Sequence, residues 1–149
     1  MDVAVEANGL FKRFPQTNKP AVHDLTLEIR AGQLFGLVGP DGAGKTTTLR
    51  MLASVMAPDA GRVRVAGHDV VREAEAIREV IGYMPQAFSL YPDLSVNENL
   101  EFFADIHRMP TARKRARIGE MLAFTHLEAF RGRRAGNLSG GMKKKLALG

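Results

Sequence analysis

Gly39-Pro40-Asp41-Gly42-Ala43-Gly44-Lys45-Thr46 carries the spacing G-x-x-x-x-G-K-[ST] of a phosphate-binding loop, with every specified position filled. Before it, Leu34-Phe35-Gly36-Leu37-Val38 has the length and apolar composition of a buried strand. After it, Thr47-Thr48-Leu49-Arg50-Met51-Leu52 reads as helix. Strand, glycine-rich turn and helix form the context that gives the spacing chemical meaning. Gly39, Gly42 and Gly44 are able to take positive φ, so successive N–H groups can curl around an anion, and the open N-terminus of the helix adds amides and a dipole of the right sign. The expected cage runs from Gly39 through Pro40, Asp41, Gly42, Ala43, Gly44, Lys45 and Thr46 to Thr47. Lys45 would reach the β and γ phosphates as a point charge, and the Thr46 hydroxyl would ligate Mg²⁺. A nucleoside triphosphate with Mg²⁺ is the natural occupant.

The flanking chain reads as alternating strands and helices. Val3, Val5 and Ala7 predict a short strand ending at Asn8-Gly9, and Leu25, Leu27 and Ile29 alternate with polar residues in a second, half-buried strand. Between them Phe14 stands at the mouth of the loop Gln16 to Pro20, where an aromatic ring could stack on a purine or simply be buried. The helix after the phosphate loop is expected to continue through Leu52 and Met56 to the turn at Pro58-Asp59-Ala60-Gly61. Val63 and Val65 predict another strand, residues 73–78 weak helix, and Val80-Ile81-Gly82-Tyr83-Met84 a further buried strand halted by Pro85 and followed by Gln86. From there Ser95-Val96-Asn97-Glu98 is a capping box opening a helix with Leu100, Phe103 and Ile106 on one face. A second amphipathic helix follows, with Ile118, Met121, Leu122 and Thr125 inward and arginines outward.

With 149 residues and 45% hydrophobic composition, the chain can bury one sizeable core. It has no cysteine, which excludes disulfides, thiolate metal sites and cysteine nucleophiles and suits a reducing compartment. No apolar run approaches the ~18 residues of a membrane span, so a cytoplasmic chain is expected. The net charge of +5 gathers in Arg113-Lys114-Arg115-Ala116-Arg117, Arg131-Gly132-Arg133-Arg134 and Lys143-Lys144-Lys145. Such clusters could attract nucleic acid or anionic lipid, but no aromatic residue is interleaved as a base-stacking platform, so nucleic acid is the disfavoured partner and solvated helix faces the simpler reading. The histidines at 23, 68, 107 and 126 show no metal-ligand spacing.

A second motif, Leu138-Ser139-Gly140-Gly141-Met142, leads into the helix-prone Lys143 to Leu148, with Ser139 as N-cap and two bare glycines behind it. With all three features in order, the chain resembles the ATP-binding domain of ABC transporters over essentially its whole length, most of all the bacterial multidrug-exporter type. The phosphate loop is similar to that family's Walker A motif, Gln86 to its Q-loop glutamine and Leu138 to Met142 to its signature. The resemblance implies an α/β phosphate-loop NTPase fold with an N-terminal antiparallel β subdomain and an inserted α-helical subdomain. The expected division is 1–88 for the β subdomain and loop core, 89–137 for the helices, and 138–149 for the signature and the start of its helix.

The same resemblance implies ATP and Mg²⁺ as ligands, with Lys45 and Gln86 in catalytic roles, Thr46 and Gln86 at the metal, and Phe14 against adenine. Ser139, Gly140 and Gly141 would act in trans on the γ-phosphate held by a second ABC ATP-binding domain, in a homodimer or tandem half. The helical subdomain and Gln86 would meet an integral-membrane permease, which places the chain at the inner face of the cell membrane. Asp41 departs from the family's usual asparagine or serine, and a carboxylate there repels the γ-phosphate unless a cation is close. The family's apolar strand ending in Asp-Glu has no counterpart here, since the only acid after Leu127 is Glu128. The expectation is therefore a piece lacking the C-terminal part of the core, which binds ATP better than it hydrolyses it. Two other readings stay open, a soluble ABC protein acting on nucleic acid or the ribosome and a non-hydrolysing nucleotide half-site.

Overall fold

The computed structural model describes residues 2–86 and 90–148. They fall into two compact units, Met1–Tyr83 and Met84–Gly149. The expected boundary between positions 88 and 89 lies outside the described residues.

The first unit is a four-stranded antiparallel sheet in the order β2-β1-β3-β4, made by β1 (Val3–Lys12), β2 (Val22–Arg30), β3 (Ala60–Val65) and β4 (His68–Asp69). Two helices, α1 (Lys45–Leu52) and α2 (Ala74–Val80), complete it. β1 does not stop at Asn8-Gly9 as the turn signal suggests. Gly9 takes φ +59 and its N–H donates to the Thr26 hydroxyl at 3.0 Å. The register steps from Ala7 opposite Leu27 to Leu10 opposite Leu25, a bulge that bends the strand and lets it run on to Lys12. β3 crosses β1 so closely that a Cβ on Gly61 would lie 2.4 Å from the Gly9 carbonyl oxygen. Ala7, Leu10, Val63 and Val65 from the sheet, Met51 from α1 and Ile77 from α2 share one core. α1 is shorter than expected: Ala53 caps it, Ser54 turns left-handed at φ 55, and the Ser54 hydroxyl donates to the Val70 carbonyl at 2.6 Å.

Two expected strands are absent among the described residues. Leu34 to Val38 is irregular, with Leu34 at 104% and Val38 at 94% exposure. Val80 ends α2, and 81–85 form no strand, with Val80, Tyr83 and Met84 exposed. Apolar runs become strands only by pairing their backbones with a neighbour. Among the described residues nothing pairs with either run.

The second unit is helical: α3 (Val96–Ile106), α4 (Thr111–Thr125) and α5 (Gly140–Leu146), with short 3₁₀ turns at Glu128–Phe130 and Ala135–Asn137. The capping box is complete, Ser95 Oγ accepting from Glu98 N at 3.2 Å and Glu98 Oε2 from Ser95 N at 2.7 Å. The next amides are taken by the arginine loop, Val96 N donating to the Arg133 carbonyl and Asn97 N to that of Arg131, both at 3.0 Å. The backbone of that loop thus closes the start of α3, while Arg133 lies 4.8 Å over the Phe130 ring. Ile106, expected inward, is 56% exposed because α3 turns its inner face through Val96, Asn99, Leu100 and Ala104. On α4 the buried residues are the expected Ile118, Met121, Leu122 and Thr125.

Candidate functional site

The phosphate loop is built from the first unit's sheet side. Gly42 and Gly44 adopt φ +79 and +82, whereas Gly39 stays out of the left-handed region, so two of the three expected glycines use their freedom. A Cβ at Gly44 would fall 2.1 Å from the Ala21 carbonyl oxygen, so only glycine lets the loop rest on the entry to β2. Ala43 N bonds the Pro40 carbonyl at 3.3 Å and Thr48 N that of Gly44 at 2.8 Å. The N–H groups of Gly42, Gly44, Lys45, Thr46 and Thr47 have no acceptor among the described residues. Five open amides at a glycine turn and the first turn of an eight-residue helix constitute an anion nest.

Lys45 folds over this nest. Its Nζ donates to the carbonyls of Gly39 and Pro40, each at 2.7 Å, and so ties the start of the loop to its end. The ammonium is therefore held at the rim before any phosphate arrives. Thr46 is exposed and Thr48 buried beneath it. Asp41 is exposed and makes no hydrogen bond or ion pair among the described residues.

A cavity of about 330 Å³ opens beside the loop, lined by Gly42, Ala43 and Lys45 and by Pro20, Ala21, Val22 and His23. That volume is within the range of small-molecule sites. Phe14 does not line it: the ring is half-buried, and its carbonyl closes a turn by accepting from Thr17 N and Thr17 Oγ1, both at 3.0 Å. The structure brings Ala21 and His23 beside the loop instead. No sequence signal marked them, because their approach depends on where β1 bulges and β2 begins.

The remaining candidates lie in the second unit. Gln86 is exposed. Ser139 caps α5, its hydroxyl accepting from Met142 N at 3.3 Å. Leu138 and Leu146, on either side, are buried in the helical core and turn Ser139, Gly140 and Gly141 outward. A Cβ on Gly140 or Gly141 would meet nothing within 4 Å, so the local fold does not require glycine at either place. Sequence reasoning missed Asn99, which is wholly buried on α3. Its Oδ1 accepts from Tyr91 N at 2.9 Å, and its Nδ2 faces the carbonyls of Tyr91, Leu94 and Ser95 at 3.0, 3.2 and 2.9 Å. This pins the segment that presents Tyr91, whose ring packs on Phe102 and Phe103 at centroid distances of 4.6 and 6.5 Å.

Comparison with known proteins bears on the whole of this arrangement, since the family model described as "ABC transporter" matches residues 22–149, from the start of β2 through the loop to the signature. The chain belongs to the ABC transporter family. It is 50% identical over 147 residues to "Probable multidrug ABC transporter ATP-binding protein YbhF" of Escherichia coli, covering 99% of this chain and 25% of that protein. It is 42% identical to "Nod factor export ATP-binding protein I" of Paraburkholderia xenovorans and 41% to "Daunorubicin resistance ATP-binding protein DrrA3" of Streptomyces coeruleorubidus, covering 48% and 46% of those proteins and 99% of this chain in each case. The chain thus spans a quarter to about half of the length of these relatives. In structure it superposes on the ATP-binding cassette MJ0796, solved as a post-hydrolysis dimer bound to ADP and Pi, with a TM-score of 0.83 at 26% identity over 97% of this chain and 67% of that one. The fold is α/β, of the ABC ATP-binding type.

Proposed function

We propose that this chain is the nucleotide-binding part of an ABC exporter subunit, binding MgATP at the phosphate loop and passing nucleotide-dependent changes to a membrane permease. The observation that carries the reading is the set of five open amides between Gly42 and Thr47 with the Lys45 ammonium held at their rim. That donor set fits a polyphosphate tail. Mg²⁺ fits it less directly. Among the described residues no group of three or more His, Cys, Asp or Glu side chains is arranged for a metal, so the ion would be held mainly through the phosphates, with the Thr46 hydroxyl as the first unit's ligand.

Three finer assignments belong to the same proposal. Ser139, Gly140 and Gly141 act in trans on nucleotide held by a second ABC ATP-binding domain; glycines that the local fold does not require suit close approach by another molecule. The helical unit meets the permease, a role supported by the half-open aromatic group of Tyr91, Phe102 and Phe103, and this sets the chain at the inner face of the cell membrane. Phe14, half-buried at the loop mouth, is the proposed adenine contact. The name of the Nod factor export relative supports export as the direction of work, and the multidrug and daunorubicin resistance names support drugs as the cargo class. The chain by itself binds ATP better than it hydrolyses it, since its residues offer no acid pair to orient an attacking water.

Calorimetry tests the central reading. MgATP is expected to bind the wild-type chain, and Lys45→Ala to abolish measurable binding while far-ultraviolet circular dichroism is unchanged. Equal affinity in the two proteins would refute the assignment of the loop.

A further inference from the structure

The whole net charge of the chain sits in its second unit. Residues 1–83 carry ten Lys and Arg against ten Asp and Glu, and residues 84–149 carry eleven against six. The densest part is the α3–α4 connection and the first two turns of α4, where Arg108, Arg113, Lys114, Arg115 and Arg117 stand with no acid between Asp105 and Glu120. Two of the five are balanced inside the unit, Lys114 Nζ on Asp105 at 2.7 Å and Arg117 on Glu120 at 3.1 Å. Arg108, Arg113 and Arg115 are exposed, and their side chains have no hydrogen bond or ion pair among the described residues. Their position does not help α4 fold. The first turn holds no acid, and these cations crowd the positive end of the helix, where their charge opposes the dipole.

We propose that the α3–α4 connection and the first two turns of α4, which carry these cations around the helix rather than on one side of it, dock on anionic phospholipid headgroups. Cations placed against the sense of their own helix weaken it slightly, and a negative surface that covers them offsets that cost. Between His107 and Ala123 there is no aromatic side chain, so the region has no platform on which a nucleic-acid base could stack. It has exposed apolar side chains at its two ends instead, Ile106 at 56% and Phe124 at 71% exposure. Phe124 continues the stripe of Arg113 and Arg117 at helical spacing, about 16 Å along α4 from Arg113. Cationic side chains bordered by apolar ones match a headgroup layer, which accepts charge at many spacings and takes apolar groups at its acyl boundary. The inference is independent of nucleotide binding, and it concerns lipid rather than the permease.

Vesicle sedimentation tests it, using the chain without nucleotide and vesicles of phosphatidylcholine alone or with about one third phosphatidylglycerol. Binding to the anionic vesicles only is expected, falling steeply as salt rises from about 0.05 M to 0.3 M. Arg108→Gln, Arg113→Gln and Arg115→Gln together break no ion pair, so the fold is kept, and should weaken partitioning about fivefold per cation, ~100-fold in all. Removing three charges elsewhere in the unit, by Arg131→Gln, Lys144→Gln and Lys145→Gln, should cost far less. Equal loss in both triple variants would overturn the proposal in favour of bulk charge. So would equal binding to neutral vesicles, or a single-stranded oligonucleotide that binds more tightly than the anionic vesicles and displaces them.

Discussion

Truncating Asn99 to alanine should loosen the segment that carries Tyr91, and the hydrogen bonds set the size of the effect. The change removes one acceptor and one amide donor group, but the partners do not suffer equally. The Leu94 carbonyl keeps Ala135 N at 2.8 Å, the Ser95 carbonyl keeps Asn99 N at 3.0 Å, and the Tyr91 carbonyl keeps Leu94 N at 3.3 Å. Only Tyr91 N is left with no acceptor. An amide orphaned in this part-buried position costs about 1–2 kcal/mol, and three weakened carbonyls with a small void around the buried Asn99 add about 1 more. A loss of about 2–3 kcal/mol raises the locally open fraction by up to roughly a hundredfold, which hydrogen exchange on peptides spanning residues 91–106 reads directly. Asn99→Asp is the sharper companion. It keeps the acceptor for Tyr91 N but sets a buried carboxylate against three carbonyls, which raises its pKa. The penalty is full above that raised value and shrinks as pH falls and the group protonates. Exchange in Asn99→Ala within about twofold of wild type would refute the claim that this side chain holds the segment.

Other perturbations follow from the same geometry. Gly44→Ala places a methyl against the Ala21 carbonyl and a side chain at φ +82, so MgATP binding should be lost together with part of the first unit's thermal stability; retained affinity would show that the loop does not rest on β2. Asp41→Asn removes an unpaired carboxylate from the rim of an anion nest and should tighten MgATP about fivefold by calorimetry, the worth of one charge pair a few ångströms apart in water. Glu98 is held below the ordinary glutamate range, first by the hydrogen bond from Ser95 N, then by the Ser95 side chain and the nearby Arg134. A depressed carboxylate contributes stability above its unfolded pKa and loses it as pH falls through its folded one, so Glu98→Gln should flatten the acid limb of helical-unit stability measured by exchange. His126 ends α4 at φ 56, and His126→Gly should raise stability by about 0.5–1 kcal/mol in urea titrations followed by circular dichroism.

What the sequence made legible is what short-range chemistry decides. The glycine turn and its lysine, the Ser95–Glu98 box, the Ser139 cap and the buried stripe of α4 each depend on residues within about a turn of one another. What it hid depends on partners far along the chain. Asn8-Gly9 looks like a strand end by the same rules that allow a bulge, and only the pairing with Thr26 and β3 decides between them. Asn99 looks like any polar residue on a helix until the segment from Tyr91 to Ser95 folds over it. Leu34 to Val38 looks like a strand because its composition is right, yet composition supplies no backbone partner.

That last difference shows what holds the candidate site in place. An apolar strand leading into the loop would fix the loop from its N-terminal side, but here that approach has no strand partner among the described residues and is largely exposed, while the loop keeps its shape. The order must come from elsewhere, and three contacts supply it. Gly44 rests on the Ala21 carbonyl at a distance closed to any other residue, Lys45 ties the loop's carbonyls to the start of α1, and Met51, wholly buried, anchors α1 among Ala7, Leu10, Val63 and Val65. A buried side chain of that size is worth about 1.5–3 kcal/mol, more than any one loop hydrogen bond. The anion nest is thus an attachment of the antiparallel sheet, reached through α1. Amides of residues 34–38 should then exchange freely while those of 48–52 are protected, and Met51→Ala should loosen the loop although it lies two turns away. Protection spread evenly across both segments would mean that the approach run, and not the sheet, sets the geometry of the five amides.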